Sequence, residues 1–514
     1  MNRVVNSMQE KQGVDAGLAS KVVNLCQRRG IIFPSCEIYE AHAGFFDYGP
    51  LGVQLKRNVE NNWWNAFVTS REDVAGIDGA IVSPKALWKA SGHLDSFNDP
   101  LVECRKCGLR SRADHLVEDE LKINVDGLST AHLQRLIDEH KLKCPKCGGE
   151  LLPVRAFNLM FKTRVGAAGG EADEAFLRPE TAQLIFADYK LVQFVSRKAL
   201  PFGIAQVGKA FRNEIAPRNF VFRCREFTQM EVEYFVHPAK LDDCPLLSAD
   251  LLDKKMVFYS QEDQEKNAEP KTLSLREALD RKMIGTRWHA YWLAVCVDWL
   301  QSIGLTPSRL RLRQHTREEL SHYSSETWDV EYEYPWGWKE LMGIANRTDF
   351  DLKQHAKASG KELCYYDQAA NQKVVPFVIE PSLGVDRLVF TLLLDAFHEK
   401  GEGGNARIVL SLSPKIAPVL VSVFPLMKKD GLAEKARDVF LDLKRQGFAA
   451  EYDESGSIGR RYARADEAGT PYCVTVDYDS LKDDSVTLRD RDSGKQERLA
   501  VKDLPQVLRK KALI

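Results

Sequence analysis

Between Gly208 and His237 the sequence GKAFRNEIAPRNFVFRCREFTQMEVEYFVH gathers arginines, carboxylates and an aromatic at strand-like spacing. Alternate residues of a strand share a face. Phe227, Gln229, Glu231 and Glu233 therefore fall on one side, and Met230, Val232 and Tyr234 on the other. The same rule pairs Arg212 with Glu214 on a preceding strand, and Ala216-Pro217-Arg218-Asn219 has turn chemistry. One hairpin would then hold Arg212, Glu214, Phe227, Gln229 and Glu231 over a common surface, with Arg218, Arg223 and Arg225 in its loop. Arginine suits a phosphate, an aromatic a flat ring, and carboxylates a cation. That set fits a nucleotide and an amine together. Alternating charges also mark a solvated strand face, and RxE is a common tripeptide, so the decision falls to the rest of the chain.

A second set is metal chemistry. Cys104-Arg-Lys-Cys107 is followed by Gly108, and Cys144-Pro-Lys-Cys147 by Gly148-Gly149. Each CxxC-G knuckle offers two thiolates, and two knuckles make a tetrahedral site. The spacing predicts a structural Zn²⁺ on Cys104, Cys107, Cys144 and Cys147, because four thiolates close the coordination sphere. A redox CxxC sits at a helix start in a thioredoxin-like unit, a context missing here. A helix over about 130–141 makes the spacer a small subdomain.

Other candidates lie further along. Glu180 enters an apolar helix, where an acid is also ordinary helix chemistry. Glu340 lies on a strand after a Pro-Trp-Gly-Trp turn, and Glu380 and Ser382 at the end of a buried strand before a turn at 381–384. Arg387 opens the following helix, an unfavourable place for a cation. Either a bound phosphate or a neighbouring carboxylate must compensate it. Arg309, Arg311 and Arg313 share a strand face, which is solvated or phosphate-binding.

These residues need elements to hold them. A chain of 514 residues exceeds one core, so two or three domains are expected. A hydrophobic share of 44% fits a globular fold, and a net charge of −1 excludes an overall field for nucleic acid or membrane. No apolar run approaches the ~20 residues of a membrane span. The first fifteen residues lack the apolar core of a signal peptide. Eleven scattered cysteines point to a reducing cytoplasm. A short helix is expected over 18–29, and a helix carrying Val53, Leu55, Val59, Trp63 and Phe67, with Trp63-Trp64 as a core or interface anchor. GAAGG near 166–170 reads as a flexible loop. Residues 240–300 read as an insertion ending in a tryptophan-rich core helix. A linker at 398–407 leads to a final region of alternating strands and helices, an α/β domain. Its GSIGRRYARAD helix sets Arg460, Arg461 and Arg464 on one patch, either RNA-binding or solvated.

Long strings in this order, among them EIYEAHAGFFDYGPLG, LWKASGHLDSF, LRPETAQ, FRNEIAPRNFVFRCREFTQMEVEYF, WGWKELMGIANRTDFDL, VIEPSLGVDR and GSIGRRYARADEAGTPYCVTVD, resemble the homodimeric type of glycyl-tRNA synthetase, a class II aminoacyl-tRNA synthetase. The resemblance covers nearly the whole chain. It implies an α+β fold: residues 1–405 as a catalytic domain on an antiparallel sheet flanked by helices, with a zinc-ribbon-like insertion at 104–150 and a helical insertion at 240–300, then residues 406–514 as an α/β anticodon-binding domain. It implies ATP-dependent formation of glycyl-adenylate and transfer to the 3′ end of tRNA-Gly, with Mg²⁺ accompanying ATP, in a cytoplasmic homodimer formed by the motif around Pro50.

It also implies roles. Arg212, Glu214 and Arg387 would be catalytic. Arg212 would hold the α-phosphate, Glu214 the adenine end, Arg223 and Arg387 the γ-phosphate, and Phe227 would stack on adenine. Asn213, Phe222, Leu341 and Gly384 would complete the ATP site, with Glu340 on its Mg²⁺ side. Glycine would meet Glu180, Glu231, Glu380 and Ser382 around its ammonium, with Arg112, Phe227, Gln229 and Gly384. The alternatives are a sister class II synthetase, or a non-catalytic synthetase-like protein that binds nucleic acid. The intact Arg212, Arg223 and Arg387 argue against the second.

Overall fold

The computed structural model describes residues 17–512 except 40–41, 124, 126, 167–173, 322 and 402–406. The first fifteen residues and most of the GAAGG loop lie outside the described residues.

Nine strands form the main sheet: β1 (Val74–Ile77), β2 (Phe202–Phe211), β3 (Glu226–Val236), β4 (Lys255–Tyr259), β5 (Lys271–Ser274), β6 (Leu310–Gln314), β7 (Glu326–Tyr334), β8 (Gly337–Thr348) and β9 (Phe377–Gly384). Their order is β5-β4-β6-β7-β8-β9-β3-β2-β1. Pairing is antiparallel except at β2–β1 and β4–β6. The helices that cover it are α1 (Pro50–Trp64), α2 (Ala182–Ser196), α3 (Arg287–Ser302), α4 (Phe350–Ser359) and α5 (Val385–Ala396).

The alternation in β3 sorts its side chains into two layers. Met230, Val232 and Tyr234 enter the main core, where the Tyr234 ring lies 5.1 Å from Trp288 and 5.0 Å from Trp292 of α3. Trp63 and Phe67 belong to this core, so Trp63 is an internal anchor. The opposite face is buried too. Phe235 packs with Ile185, Phe186 and Tyr189 of α2 and Leu352 of α4. Glu231 and Glu233 lie under this second layer and are fully buried, which rules out a solvated face.

Several expectations change. The first strand of the hairpin ends at Phe211, so Arg212 and Glu214 stand in a long loop. Arg212 N donates the last ladder bond, to Arg225 O at 2.9 Å. The Arg225 guanidinium then takes the next rung, donating to Glu214 O at 3.0 and 2.8 Å. The loop docks on the segment before α1, with Arg225 N donating to Gly44 O. Gly44 has φ +83°, and a Cβ there would sit 2.8 Å from Pro217. The expected turn at 381–384 is absent. Gly384 is extended and still paired with Gln229, and α5 begins at Val385.

Residues 240–300 supply β4 and β5 to the sheet edge and α3 to the core. Arg309, Arg311 and Arg313 are paired with Asp395, Glu331 and Glu319, so they offer no phosphate row. The flanks of the expected linker, Phe397–Lys400 and Arg407–Leu410, pair antiparallel, and residues 402–406 between them lie outside the described residues. Leu410, Leu412 and Ile416 then join the main core, carrying the N-terminal unit past residue 405.

The C-terminal unit is α/β as expected. Its sheet runs Ala450–Tyr452, Val421–Pro425, Tyr472–Val476, Ser485–Asp490 and Gln496–Ala500, with a separate core. Arg460, Arg461 and Arg464 do not form one exposed patch. Arg461 is buried and donates to Pro425 O and Gly456 O, while Arg464 pairs with Asp453. Among the described residues, no helix is long and apolar enough to cross a membrane.

Candidate active site

The cavity at the end of the β2–β3 hairpin has a volume of about 230 Å³. The hairpin and its loop bring Arg212, Glu214, Phe222, Arg223, Phe227 and Gln229 to it. β8 contributes Glu340, and the β9–α5 junction contributes Ser382, Gly384 and Arg387. Three buried polar atoms of this wall have no hydrogen-bond partner within the protein: Glu214 Oε2, Arg223 Nη1 and Gln229 Oε1. Such atoms cost about 1–3 kcal/mol each when left unpaired. Their convergence marks a binding surface.

Arg387 solves its helix-start problem as the carboxylate alternative required. It lies 3.2 Å from Glu340 Oε2, donates to Glu340 O at 2.9 Å and stands over the Phe222 ring. That cation is the main reason the carboxyl of Glu340, an exposed side chain, is held below its usual range. Burial depresses the Arg223 guanidinium, with Glu214 pulling the other way. Arg212 is fixed by a 3.0 Å bond from Nε to Pro179 O and lies over the rings of Phe97 and Phe227. The floor is tied together by Asp386, which accepts from Thr228 N, Tyr48 OH and Lys56 Nζ. Burial would raise this carboxyl, but Lys56 and those donors hold it below its usual range.

Next to the cavity lies a buried acidic cluster. Ser382 Oγ donates to Glu231 Oε1 at 2.7 Å and accepts from Gln229 Nε2 at 3.0 Å. Thr181 donates its amide and hydroxyl to Glu231 Oε2. Glu180 meets His93 at 3.4 Å and accepts from Gln183. Arg347 is the guanidinium at the centre. It grips Asp351 with Nε and Nη2 and both oxygens of Glu380 with Nη1, all at 2.8–3.0 Å. Burial opposes ionisation of Glu180, yet His93, Arg347 and Gln183 hold its carboxyl below the usual range. Burial and the nearby Glu180 raise Glu231. Burial pushes Glu380 up to about 8 against the pull of Arg347, with Glu231 and Glu180 adding to the rise. Burial and Glu380 raise Glu233, and neither of its oxygens has a partner. An excess of carboxylates that cannot all ionise is a site for a cation.

The cysteines form the predicted cluster. The four Sγ atoms lie within 4.8 Å of one another, with Cys104–Cys147 at 3.5 Å and Cys107–Cys144 at 3.7 Å. A tetrahedral site with 2.3 Å Zn–S bonds needs S···S separations of about 3.8 Å, so the residues fit. Amides of Cys107 and Lys106 lower the Cys104 thiol to about 6, while the neighbouring thiols push Cys147 up to about 12.

The expected residues divide into two groups. Arg212, Glu214, Phe222, Arg223, Phe227, Glu340, Gly384 and Arg387 share the cavity, with Gln229 and Ser382 at its inner end. Glu180, Glu231 and Glu380 sit in the adjoining cluster. Leu341 is a core residue, its side chain fully buried away from the cavity. Asn213 is fixed through its amide, which donates to Leu159 O. Arg112 is clamped by Asp99 and Asp114 at 2.7 and 2.6 Å, near the charges of Glu214 and Arg223 rather than within the acidic cluster. The sequence reading missed Arg347, Asp351, His93 and Thr181. Arg347 and Asp351 stood in the quoted IANRTDFDL string at a helical i,i+4 spacing; that was the available signal.

Comparison with known proteins places these groups in context. A family pattern described as an anticodon binding domain matches residues 420–511. The chain is 47% identical over 497 residues to the glycine–tRNA ligase of Caldanaerobacter subterraneus subsp. tengcongensis, covering 96% of this chain and 98% of that one. It is 44% identical over 503 residues to the glycine–tRNA ligase of Geobacillus thermodenitrificans, with 96% and 98% covered. In fold it is similar to a Giardia lamblia prolyl-tRNA synthetase in complex with prolyl-adenylate, at a TM-score of 0.58 and 14% identity, with 96% of this chain and 75% of that one covered. A Cryptosporidium parvum structure titled as the RNA binding domain of threonyl-tRNA synthetase also gives 0.58, at 16% identity, with 95% and 98% covered.

Proposed function

This chain belongs to the glycine–tRNA ligase family and charges tRNA-Gly with glycine, and from that premise we propose how its own residues do so. The observation that carries the reading is that Glu214, Arg223 and Gln229, each with a buried polar atom lacking a protein partner, line one cavity. Arg212 holds the α-phosphate of ATP, Arg223 and Arg387 hold the γ-phosphate, Glu214 receives the adenine end, and Phe227 stacks on the base. Fixed cations stabilise the charge that develops at phosphorus, so no protein nucleophile is needed. Mg²⁺ would be held by Glu340 together with the phosphates and would neutralise phosphate charge. Glu180, Glu231, Glu380 and Ser382 receive the ammonium of glycine. Their close packing excludes larger side chains, since overpacking costs about 1–3 kcal/mol.

The roles are tested by glycine-dependent ATP–pyrophosphate exchange, with alanine, serine, proline, threonine and histidine in parallel. Exchange with glycine alone is expected. Exchange with another amino acid would place the pocket with a sister synthetase, and none at all with a nucleic-acid-binding relative.

The titration of Glu380 gives a pH test. The ordinary value is 4.5 and the folded value about 8, so between these the folded protein keeps a proton that the unfolded chain has released. This contribution to stability is lost as pH rises through that window. An incoming ammonium favours the ionised carboxylate. Glycine KM is therefore expected to fall by on the order of tenfold or more from pH 6.5 to 8, while stability declines. A glycine KM that is flat across this range would remove Glu380 from the ammonium site.

Residues 104–150 hold Zn²⁺ in a structural role through the four cysteines. Cys144→Ser is expected to release the metal and lower the melting temperature, because metal affinity is linked to folding; elemental analysis and a thermal melt read both. The C-terminal unit reads the anticodon. Deleting residues 419–514 should spare exchange but reduce charging of tRNA by at least about 10²-fold, whereas a cut at 407 also strips Leu410, Leu412 and Ile416 from the main core. Full charging by the shorter chain would refute the assignment.

The protein acts as a homodimer. The support is an apolar patch of Leu191, Phe194 and Val195, exposed on α2, in a chain whose β1 ends the main sheet as an edge strand. Sedimentation equilibrium measures the state directly. Its eleven scattered cysteines support a cytoplasmic location.

A further inference from the structure

The imidazole of His93 has partners that call for both of its ring hydrogens. Gly92, at φ +82°, turns the chain between the helix Lys85–Ala90 and the short helix His93–Ser96, a conformation open to glycine. Asn158 Nδ2 donates to the carbonyls of His93 and Leu94 at 3.0 and 3.2 Å and fixes that turn. The ring then lies between two aromatics, 5.3 Å from the buried Trp88 and 5.4 Å from Phe97. Its Nδ1 is 2.8 Å from Ser91 Oγ. A hydroxyl has one proton to give, and Ser91 gives it to Trp88 O at 3.3 Å. Ser91 Oγ is therefore the acceptor, and the hydrogen-bond network assigns a hydrogen to Nδ1. Nε2 faces Glu180 Oε2 at 3.4 Å. A carboxylate only accepts, so Nε2 carries the second hydrogen and His93 is an imidazolium.

Glu180 needs that cation. Its side chain is only 13% exposed, and burial opposes a charge. Arg347, another cation that acts on it, is committed to Asp351 and Glu380. Gln183 Nε2 donates to Glu180 Oε1 at 2.9 Å. With Oε1 on Gln183 and Oε2 on His93, the plane of the carboxylate is fixed, and lone pairs remain to accept from an ammonium. The other face of the arrangement reaches the phosphate side. Phe97 carries the Arg212 guanidinium 5.4 Å from its ring, and Phe227 lies 5.3 Å from the same cation. Trp88, His93, Phe97, Arg212 and Phe227 thus form one column in which each cation is flanked by two rings. It runs from the acidic cluster to the ATP cavity.

We infer that His93 is a positioning residue of glycine activation: its imidazolium, locked by Ser91, holds the Glu180 carboxylate charged and aimed for the ammonium of glycine. This role rests on the glycine site proposed above.

The test is glycine-dependent ATP–pyrophosphate exchange on the full-length enzyme. Asparagine reproduces the Nδ1 donor of histidine and glutamine the Nε2 donor, so the two substitutions separate the Ser91 contact from the Glu180 contact. His93→Asn should raise the KM for glycine about 10- to 100-fold, as expected for a lost charge-assisted bond in a buried site. The KM for ATP should stay within about threefold of the parent, because Arg212 keeps its own bond to Pro179 O. His93→Gln should recover at least about threefold of the loss. Ser91→Ala leaves His93 and Glu180 in place but frees Nδ1, and should raise the glycine KM about two- to fivefold. Added to Glu180→Gln, His93→Asn should cost less than about twofold more, because it acts through that carboxylate. A ring that only fills space would give the same glycine KM with asparagine as with glutamine, and would keep its full effect in the Glu180→Gln background. Either result overturns the proposal, as does a parental glycine KM in Ser91→Ala where the His93 variants fail to fold. A parental glycine KM in Glu180→Gln alone would instead overturn the placement of the ammonium, so the two failures are distinguishable.

Discussion

Arg212→Ala should lower glycine-dependent ATP–pyrophosphate exchange by about 10²–10³-fold, equivalent to about 2.7–4 kcal/mol of transition-state stabilisation. The guanidinium is preset for this. Its Nε is occupied by Pro179 O, and two rings fix its plane, so its remaining donors face the cavity without reorganisation. The loss should appear mainly in kcat, with a melting temperature close to the parent, because among the described residues Arg212 makes one side-chain hydrogen bond. Arg212→Lys should rescue little, since an ammonium cannot reproduce a planar fork. Exchange within tenfold of the parent in the alanine variant would remove Arg212 from the α-phosphate.

Arg347→Ala should have the largest effect on stability, about 3–5 kcal/mol, because it strands Asp351 and Glu380 in a buried layer without their cation. The ring of Tyr323, 3.9 Å from the guanidinium, loses its partner as well. A thermal or urea melt of the catalytic unit reads the effect. Adding Asp351→Asn and Glu380→Gln should restore much of the stability by removing the stranded Asp351 charge and the unpartnered Glu380 carboxyl. It should not restore glycine activation, because the ammonium loses a carboxylate. If the single substitution leaves the melt unchanged, Arg347 does not balance this cluster.

The cavity side was legible because its residues lie on strands and at strand ends, where sequence spacing maps directly onto a face. Phe227, Gln229 and Arg387 needed only a period of two and a helix start, whereas Arg212, Glu214 and Arg223 stand in the hairpin loop, where the resemblance and not the period singled them out. The acidic layer was harder. Glu231 and Glu233 look like a wet strand face until α2 and α4 are known to cover them, and that covering is a long-range contact without a local signature. Arg347 escaped for the same reason: its partners are Asp351, one helical turn on, and Glu380, on the neighbouring strand β9. The linker at 398–407 was read from glycine and charge alone, and its flanks at 397–400 and 407–410 pair as strands. Only the burial of Leu410 and Ile416 separates such pairing from a tether.

Helix α1 touches both ends of the molecule within a single turn. Lys56 reaches Asp386 under the cavity, and Asn58 Nδ2 donates to the carbonyls of Ile416 and Ala417, at the entry to the C-terminal unit. The two units are therefore not interchangeable parts. A chimera that grafts a foreign anticodon-binding domain at the apparent glycine-rich seam would exchange the carbonyls that Asn58 holds and three core side chains. A graft made after residue 418 would keep them, so the natural cassette boundary lies inside the first strand-to-strand connection beyond the visible break in composition.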